Sequence, residues 1–182
     1  MGTESIIETA GLTKAYGPHR AVNGLDVRVN AGEIFGFLGP NGAGKTTTLL
    51  MLLGLTRSSG GTARVCGLDP SRHARAIKQR VGYLPENVGF YGDMTAVESL
   101  QYVAALNGMG KQETHERIHD VLQLVGLEQS SRKKTGAFSR GMKQRLGVAE
   151  VLIKAPEILF LDEPTLGLDP EGAIQLIDLI QS

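Results

Sequence analysis

The sequence predicts an α/β fold, and three observations support that prediction. Residues 5–16 and 20–30 alternate apolar and polar side chains, as strands with one buried face do. Two largely apolar runs, 33–38 and 158–161, are typical of strands buried in a parallel sheet. Several later stretches carry apolar residues at helical spacing. We therefore expect a mainly parallel sheet, an N-terminal antiparallel β portion and an inserted helical subdomain.

The remaining elements follow in chain order. The turn residues Gly17 and Pro18 join the first two strands. A basic helix over residues 71–80 lies between strands near 63–66 and 81–84. The other predicted elements are helices at 95–106, 111–125 and 140–153, the last with Ser139 as its N-cap, and a final helix opened by Asp169 and Pro170.

Composition narrows the classes of function. Of the 182 residues, 41% are apolar, which is enough for the core of one α/β domain. The chain has 19 lysine and arginine residues and 19 aspartate and glutamate residues. Because positive charge is not in excess, we do not expect a nucleic-acid partner. Cys66 is the only cysteine, so a cytoplasmic, reducing location is expected. No apolar stretch is long enough to span a membrane and no leader is visible, so we expect membrane contact only through a partner.

A glycine-rich loop carries the clearest chemical signal. Residues 39–46 fit G-x-x-x-x-G-K-[ST] between a strand-like run and a helix-like stretch. Glycines let backbone N–H groups converge on a polyphosphate, and the following helix adds the positive end of its dipole. Lys45 should reach the β and γ phosphates, and the Thr46 hydroxyl should bind Mg²⁺. The predicted nucleotide-binding residues of this loop are Gly39, Pro40, Asn41, Gly42, Ala43, Gly44, Lys45, Thr46 and Thr47.

Two acids close the apolar run at residues 158–161. Asp162 would hold Mg²⁺ through its water shell, and Glu163 would polarise the attacking water. Alone, this pair fits a solvated strand end equally well, and the phosphate loop favours the catalytic interpretation. The sequence thus predicts a P-loop NTPase core of residues 1–86 and 155–182, with a helical subdomain of residues 87–154 inserted in it.

A zinc-like motif in the helical part is interpreted as a coincidence. Residues 115–119 fit H-E-x-x-H, a spacing that can place two imidazoles around Zn²⁺. The extended zinc motif needs glycine and histidine where this chain has Leu122 and Val125. We therefore expect the solvated face of an ordinary amphipathic helix here.

The order of the motifs resembles that of the ATP-binding cassette (ABC) ATPases, the motor subunits of ABC transporters. The resemblance covers nearly the whole chain. It rests on Tyr16, the phosphate loop, the segment Tyr83-Leu84-Pro85-Glu86, a signature beginning at Ser139, and the acid pair with its following turn. It implies that Tyr16 stacks on adenine. It also implies that two subunits sandwich two ATP molecules, each phosphate loop facing Ser139 and Gly141 of the other subunit.

Three departures from the family pattern stand out. Glu86 replaces a glutamine that commonly contacts Mg²⁺ or the attacking water, and a carboxylate can also ligate this metal. Arg140 and Met142 replace the usual glycine and glutamine, which resembles the ABC-2 exporters. The family's switch histidine lies well beyond the catalytic acid, yet no histidine follows His119. We therefore expect a C-terminally truncated cassette with little or no turnover by itself.

The resemblance implies the ATP-hydrolysing subunit of an exporter at the inner face of the cell membrane. Its partners would be a second ATPase subunit and a membrane permease docked near residues 87–95. Two other hypotheses about the function stay open, namely a soluble non-transport ABC ATPase and an inactive nucleotide-binding fragment. The segment 83–88 with Phe90 and Tyr91 also resembles the copper-processing ATPase of nitrous-oxide-reductase maturation, a narrower hypothesis.

Overall fold

The computed structural model describes residues 5–166 and 168–181. These residues form two compact units, 1–81 and 82–182, as far as the described chain reaches within each. In chain order the elements are β1 (Ser5–Tyr16), β2 (His19–Asn30), α1 (Lys45–Leu52), β3 (Gly60–Val65), α2 (Pro70–Arg80), β4 (Val81–Leu84), α3 (Ala96–Leu106), α4 (Lys111–Leu124), α5 (Arg140–Leu152), β5 (Ile158–Leu161) and α6 (Pro170–Gln181). Short 3-10 helices at Glu128–Ser130 and Thr135–Ala137 precede α5.

The first unit is built on an antiparallel sheet of three strands in the order β2-β1-β3. Tyr16 pairs with His19 across the turn that the sequence predicts. Leu12, Val22 and Met51 are buried together, so α1 packs its apolar residues onto this sheet. The predicted N-terminal antiparallel portion is confirmed.

The strand predicted at residues 33–38 is wrong. These residues have no regular secondary structure, and Ile34, Phe35 and Leu38 are 67%, 45% and 94% exposed. No described strand pairs with this segment. An apolar run shows that a segment can be buried, but a strand also needs a neighbour to receive its backbone hydrogen bonds.

The second unit packs α3, α4 and α5 around one apolar core. Strands β4 and β5 form a separate parallel pair. Helix α5 lies close to β4, because a Cβ added at Gly147 would come within 2.8 Å of Leu84 Cδ1. The core residues with no exposed surface include Ala96, Leu100, Ala104 and Leu146.

Side chains hold both ends of α5. At its start, the Ser139 hydroxyl oxygen accepts a hydrogen bond of 3.2 Å from the backbone N–H of Met142, as predicted for an N-cap. At its end, the guanidinium of Arg117 on α4 donates to the carbonyls of Leu152 at 3.0 Å and Ile153 at 3.3 Å. These carbonyls belong to the last turn, which lacks partners within the helix. Arg117 therefore ties α4 to the end of α5.

The final helix also begins where the sequence predicts. The Asp169 carboxylate accepts a hydrogen bond of 3.2 Å from the backbone N–H of Gly172. The proposed return of residues 155–182 to a core shared with residues 1–86 stays a prediction. None of the helices within the described ranges has the length and hydropathy of a membrane span.

Candidate functional site

The phosphate loop ends in a helix start that only glycine permits. Gly44 has φ +88°, and a Cβ built on it would lie 2.2 Å from the carbonyl oxygen of Ala21. Both the left-handed backbone and the close carbonyl exclude a side chain. No side chain caps α1 and no acidic residue stands in its first turn. The N-terminal end of α1 therefore places its dipole and N–H groups at the end of the loop, with no acidic residue in the first turn of the helix itself.

Lys45 folds back over the loop that precedes it. Its ammonium donates to the carbonyl oxygens of Gly39 at 2.6 Å and Pro40 at 3.3 Å. The loop is closed by a backbone hydrogen bond of 3.1 Å from Ala43 to Pro40. The positive charge is thus held directly beside the loop's own turn, where a phosphate chain would meet it.

Tyr16 lies at the end of β1 and is 52% exposed. The ammonium of Lys14 stands 4.9 Å from the centre of its ring, a cation–π contact. The exposed ring suits stacking by a planar base. Its predicted role in adenine binding stays a prediction.

Asp162 is buried at the end of the parallel pair, with only 4% of its surface exposed. Its backbone N–H donates to the carbonyl of Leu84 at 2.9 Å, and its carboxylate is hydrogen-bonded to the hydroxyl of Tyr83. Burial raises the pKa of Tyr83 above its usual value, and the charge of Asp162, its hydrogen bond and the charge of Glu86 add to this effect. The sequence pattern assigned no role to Tyr83. The signal that identifies it is alternation along two paired strands, which needs their register.

Glu163 has a left-handed backbone, with φ +50°. Its carbonyl accepts a hydrogen bond of 3.0 Å from Leu166, so the chain turns sharply as β5 ends. A non-glycine residue in this conformation costs about 1 kcal/mol or more and is often found at functional sites. At this turn Asp162 is buried and Glu163 is half-buried.

The signature residues and the turn after the acids line one cavity of about 450 Å³. Ser139, Gly141 and Asp169 are among the residues that line it. Arg145 also lines the cavity, and among the described residues its buried Nε has no hydrogen-bond partner. Gly167, in the turn that follows the acid pair, lies outside the described residues. The cavity places the predicted signature residues beside a polar, mixed-charge surface.

The segment that follows Glu86 is fastened to the chain leading into α5. Thr135, which has no exposed surface, donates its N–H to Met94 and its hydroxyl to the carbonyl of Tyr91, both at 2.8 Å. Gly136 donates to the carbonyl of Gly92 at 2.9 Å, and a Cβ on Gly136 would lie 2.8 Å from that oxygen. Tyr91 remains 62% exposed and contacts Tyr102 edge to face at 6.0 Å. An aromatic surface therefore stands on the segment predicted to meet a partner.

The predicted site residues fall into two groups. Tyr16 and the phosphate loop belong to the first unit. The second unit brings Asp162, Glu163 and Glu86 to the ends of β4 and β5, and the signature residues to the start of α5. Their assigned roles stay predictions.

Magnesium is the metal that the donor set suits. Asp162 in the second unit supplies a buried carboxylate and Glu86 an exposed one, and Thr46 in the first unit supplies a hydroxyl; each is a hard oxygen donor. Within the described ranges no cluster of three or more His, Cys, Asp or Glu residues could hold a metal. Mg²⁺ is commonly bound by one or two carboxylates together with substrate phosphates, so the donors fit it.

At the H-E-x-x-H segment, the His119 ring nitrogens lie 3.9 Å from Asp120 and Glu128 at an exposed surface, as expected for a solvated helix face.

Comparison with known proteins gives a consistent result. The family model described as "ABC transporter" matches residues 22–166. The bacitracin transport ATP-binding protein BcrA of Bacillus licheniformis is 46% identical over 98% of this chain and 57% of its own length. The daunorubicin/doxorubicin resistance ATP-binding protein DrrA of Streptomyces peucetius is 39% identical over 97% of this chain and 53% of its own length. The Nod factor export ATP-binding protein I of Burkholderia lata is 44% identical, with coverages of 91% and 55%.

Solved structures agree with the α/β prediction. The chain superposes on an ATP-binding subunit of an ABC transporter with TM-score 0.83 at 27% identity, covering 97% of this chain and 73% of that one. It superposes on cbiO1 of Clostridium perfringens, part of the ABC transporter complex cbiONQ, with TM-score 0.86 at 26% identity, covering 98% and 73%. The α/β P-loop fold is thereby confirmed, and the chain spans little more than half the length of the curated relatives described above. The copper-processing hypothesis gains no support, because these relatives are named for antibiotic, drug and Nod factor transport.

Proposed function

We propose that this chain, which belongs to the ABC transporter family, is the ATP-binding and ATP-hydrolysing subunit of an exporter. In this role it would power transport through a separate membrane permease. The observation that carries the proposal is the phosphate loop. Its glycine-only helix start and its folded-back Lys45 provide a dipole, N–H groups and a positive charge at one place. That combination suits the triphosphate of a nucleotide.

Each end of the nucleotide has its own residues. Residues Gly39 to Thr47 surround the phosphates, with Lys45 neutralising the β and γ groups. The exposed ring of Tyr16 stacks on the adenine, which gives ATP its advantage over other nucleotides. Mg²⁺ would be held by Thr46 and Asp162, with Glu86 close to the end of the same strand pair. When bound, the metal neutralises developing charge on the phosphates.

Glu163 is proposed as the general base. Asp162 is buried whereas Glu163 is half-buried, so the first acid would serve the metal and the second the attacking water. In a sandwich of two subunits, Ser139 and Gly141 would contact the γ-phosphate held by the other subunit. The hydroxyl of Ser139 and the dipole of α5 favour that contact.

Export is favoured over other uses of the cassette by the named functions of the relatives, which include drug resistance and Nod factor export. The permease would dock at the segment 87–95, where Tyr91 is exposed beside Tyr102. In this proposal the protein would lie at the inner face of the membrane, held there by its partner.

The central test is ATP binding by the protein and its Lys45→Ala variant, measured by titration calorimetry. We expect the affinity to fall at least tenfold, or about 1.4 kcal/mol. Lys111→Ala, which removes an exposed lysine at the start of α4, is the matched control and should bind like the wild type. Equal affinity in the Lys45 variant and the wild type would refute the loop as the nucleotide site.

Hydrolysis and export are tested in the assembled transporter. Phosphate release by membranes containing the permease should disappear in the Glu163→Gln variant, while ATP stays bound. Release that continues unchanged would exclude Glu163 as the base.

A further inference from the structure

Tyr83 and Asp162 lie on neighbouring strands and face the same side of them. The hydrogen bond of 2.9 Å from the Asp162 N–H to the Leu84 carbonyl sets the register of the pair β4–β5. Side chains alternate between the two faces of a strand. In this register Leu84 and Leu161 share one face, and Tyr83 and Asp162 share the other. The side-chain hydrogen bond between Tyr83 and Asp162 follows from that placement.

The contact matters because the Asp162 carboxylate is buried. Only 4% of the residue is exposed, so water cannot solvate its charge freely. A buried carboxylate needs donors, and a phenolic O–H supplies one strong, directional bond. With one lone pair engaged by Tyr83, the carboxylate is restricted in rotation about its terminal bond. One consequence is a fixed direction for its remaining lone pairs.

We propose that Tyr83 is a positioning residue, whose hydroxyl orients the carboxylate of Asp162 for a divalent cation. The inference rests on the proposed function, since it takes Asp162 as a metal-binding group. Tyr83 itself does not contact the metal or the nucleotide. Its effect passes through Asp162 alone.

A positioning role and a packing role for Tyr83 predict different effects on nucleotide binding with and without the cation. If Tyr83 acts by orienting Asp162, removing its hydroxyl weakens the response to the cation and leaves metal-free nucleotide binding unchanged. If Tyr83 serves only in packing, its loss disturbs the strand pair and does not act selectively on the cation. Replacing it with phenylalanine keeps the ring and removes only the donor.

The experiment measures ATP binding to the 182-residue chain as a function of Mg²⁺ concentration, and again in EDTA. For Tyr83→Phe we expect the Mg²⁺ concentration at half-effect to rise three- to tenfold, with unchanged affinity in EDTA. Mn²⁺, followed by its paramagnetic resonance signal in the presence of ATP, should show the same weakening. Tyr102→Phe is the matched control, because that tyrosine is exposed on α3 and contacts Tyr91.

A double-mutant cycle completes the test. In an Asp162→Asn background, Tyr83→Phe should cause no further change, because the group through which it acts has been altered. Equal Mg²⁺ dependence in the wild type and Tyr83→Phe, tighter cation binding, or a further loss in the Asp162→Asn background would overturn the inference. If the wild type binds ATP with no dependence on Mg²⁺, the metal-binding part of the proposed function fails and this inference fails with it. Mg²⁺-dependent binding that Tyr83→Phe leaves unaltered refutes only the role of Tyr83.

Discussion

The backbone N–H of Asp162 donates a hydrogen bond of 2.9 Å to the carbonyl of Leu84, joining residues far apart in the sequence. This bond brings the end of β5 beside the end of β4, where Glu86 follows two residues later. Asp162, Glu163 and Glu86 are thereby collected at one edge of a parallel pair. At such an edge, open α/β sheets usually place their ligands.

The exposed ring of Tyr16 makes base recognition testable. For Tyr16→Ala we expect weaker ATP binding and a smaller preference for ATP over GTP, because stacking on a base is worth about 1 to 3 kcal/mol. Titration calorimetry with both nucleotides measures the change. Tyr102→Ala is the control and should leave the preference intact. A preference that does not move in Tyr16→Ala would place the adenine elsewhere.

The exposure of residue 38 gives a direct check on the structure of the segment 33–38. Since Leu38 is 94% exposed, Leu38→Ala should change the free energy of unfolding by less than about 0.5 kcal/mol. Leu100→Ala, at a position with no exposed surface, should cost about 2 to 5 kcal/mol. Urea denaturation of both variants provides the comparison. Equal losses would mean that the segment is a buried strand after all.

Glu150 on α5 should make stability depend on pH. Burial raises the pKa of this carboxyl to about 7, from 4.5, so the folded protein favours the neutral form. Compared with a variant that has a neutral side chain at this position, the wild type therefore loses no stability below pH 4.5. Its free energy of unfolding falls as the pH rises from 4.5 towards 7. Glu150→Gln removes the ionisation. The stability of Glu150→Gln relative to the wild type should be near zero at pH 4.5 and reach about 3 kcal/mol at pH 8.

The measurement for Glu150 is the free energy of unfolding in denaturant across this pH range. Glu113→Gln is the matched control, because Glu113 is exposed on α4. The difference between Glu150→Gln and the wild type should grow with pH, whereas that of the control should stay flat. A constant difference at every pH would show that Glu150 is solvated.

The hydrogen bonds of Arg117 predict a stability effect far from the site. Arg117→Ala removes a charged donor from the carbonyls of Leu152 and Ile153, so we expect a loss of about 1 to 3 kcal/mol. Arg132→Ala, which removes an exposed arginine, should lie within about 0.5 kcal/mol of the wild type. Thermal and urea unfolding measure both. A loss in Arg117→Ala no greater than in the control would mean that solvent replaces the bonds.

Local chemistry in the sequence predicts most of the secondary structure. Gly17 and Pro18 mark the hairpin turn, and Ser139 and Asp169 mark helix starts, because caps and turns depend on a few adjacent residues. The lack of a strand at 33–38 was not predictable in this way, since strand formation depends on a neighbouring strand that local sequence does not reveal. The hydrogen bond between the side chains of Tyr83 and Asp162 could not be predicted from the sequence either. It arises from the register between two distant strands, and neither residue's surroundings in the sequence indicate it.

The two side chains that hold α5 also limit how this helix can move. Ser139 holds its first turn in shape, and Arg117 fixes its last turn to α4, so sliding of α5 past α4 would break the bonds of Arg117. Any displacement of the signature therefore carries α4 with it. A spectroscopic probe on the exposed face of α4, at His115 for example, would report motion at Ser139 without touching the cavity.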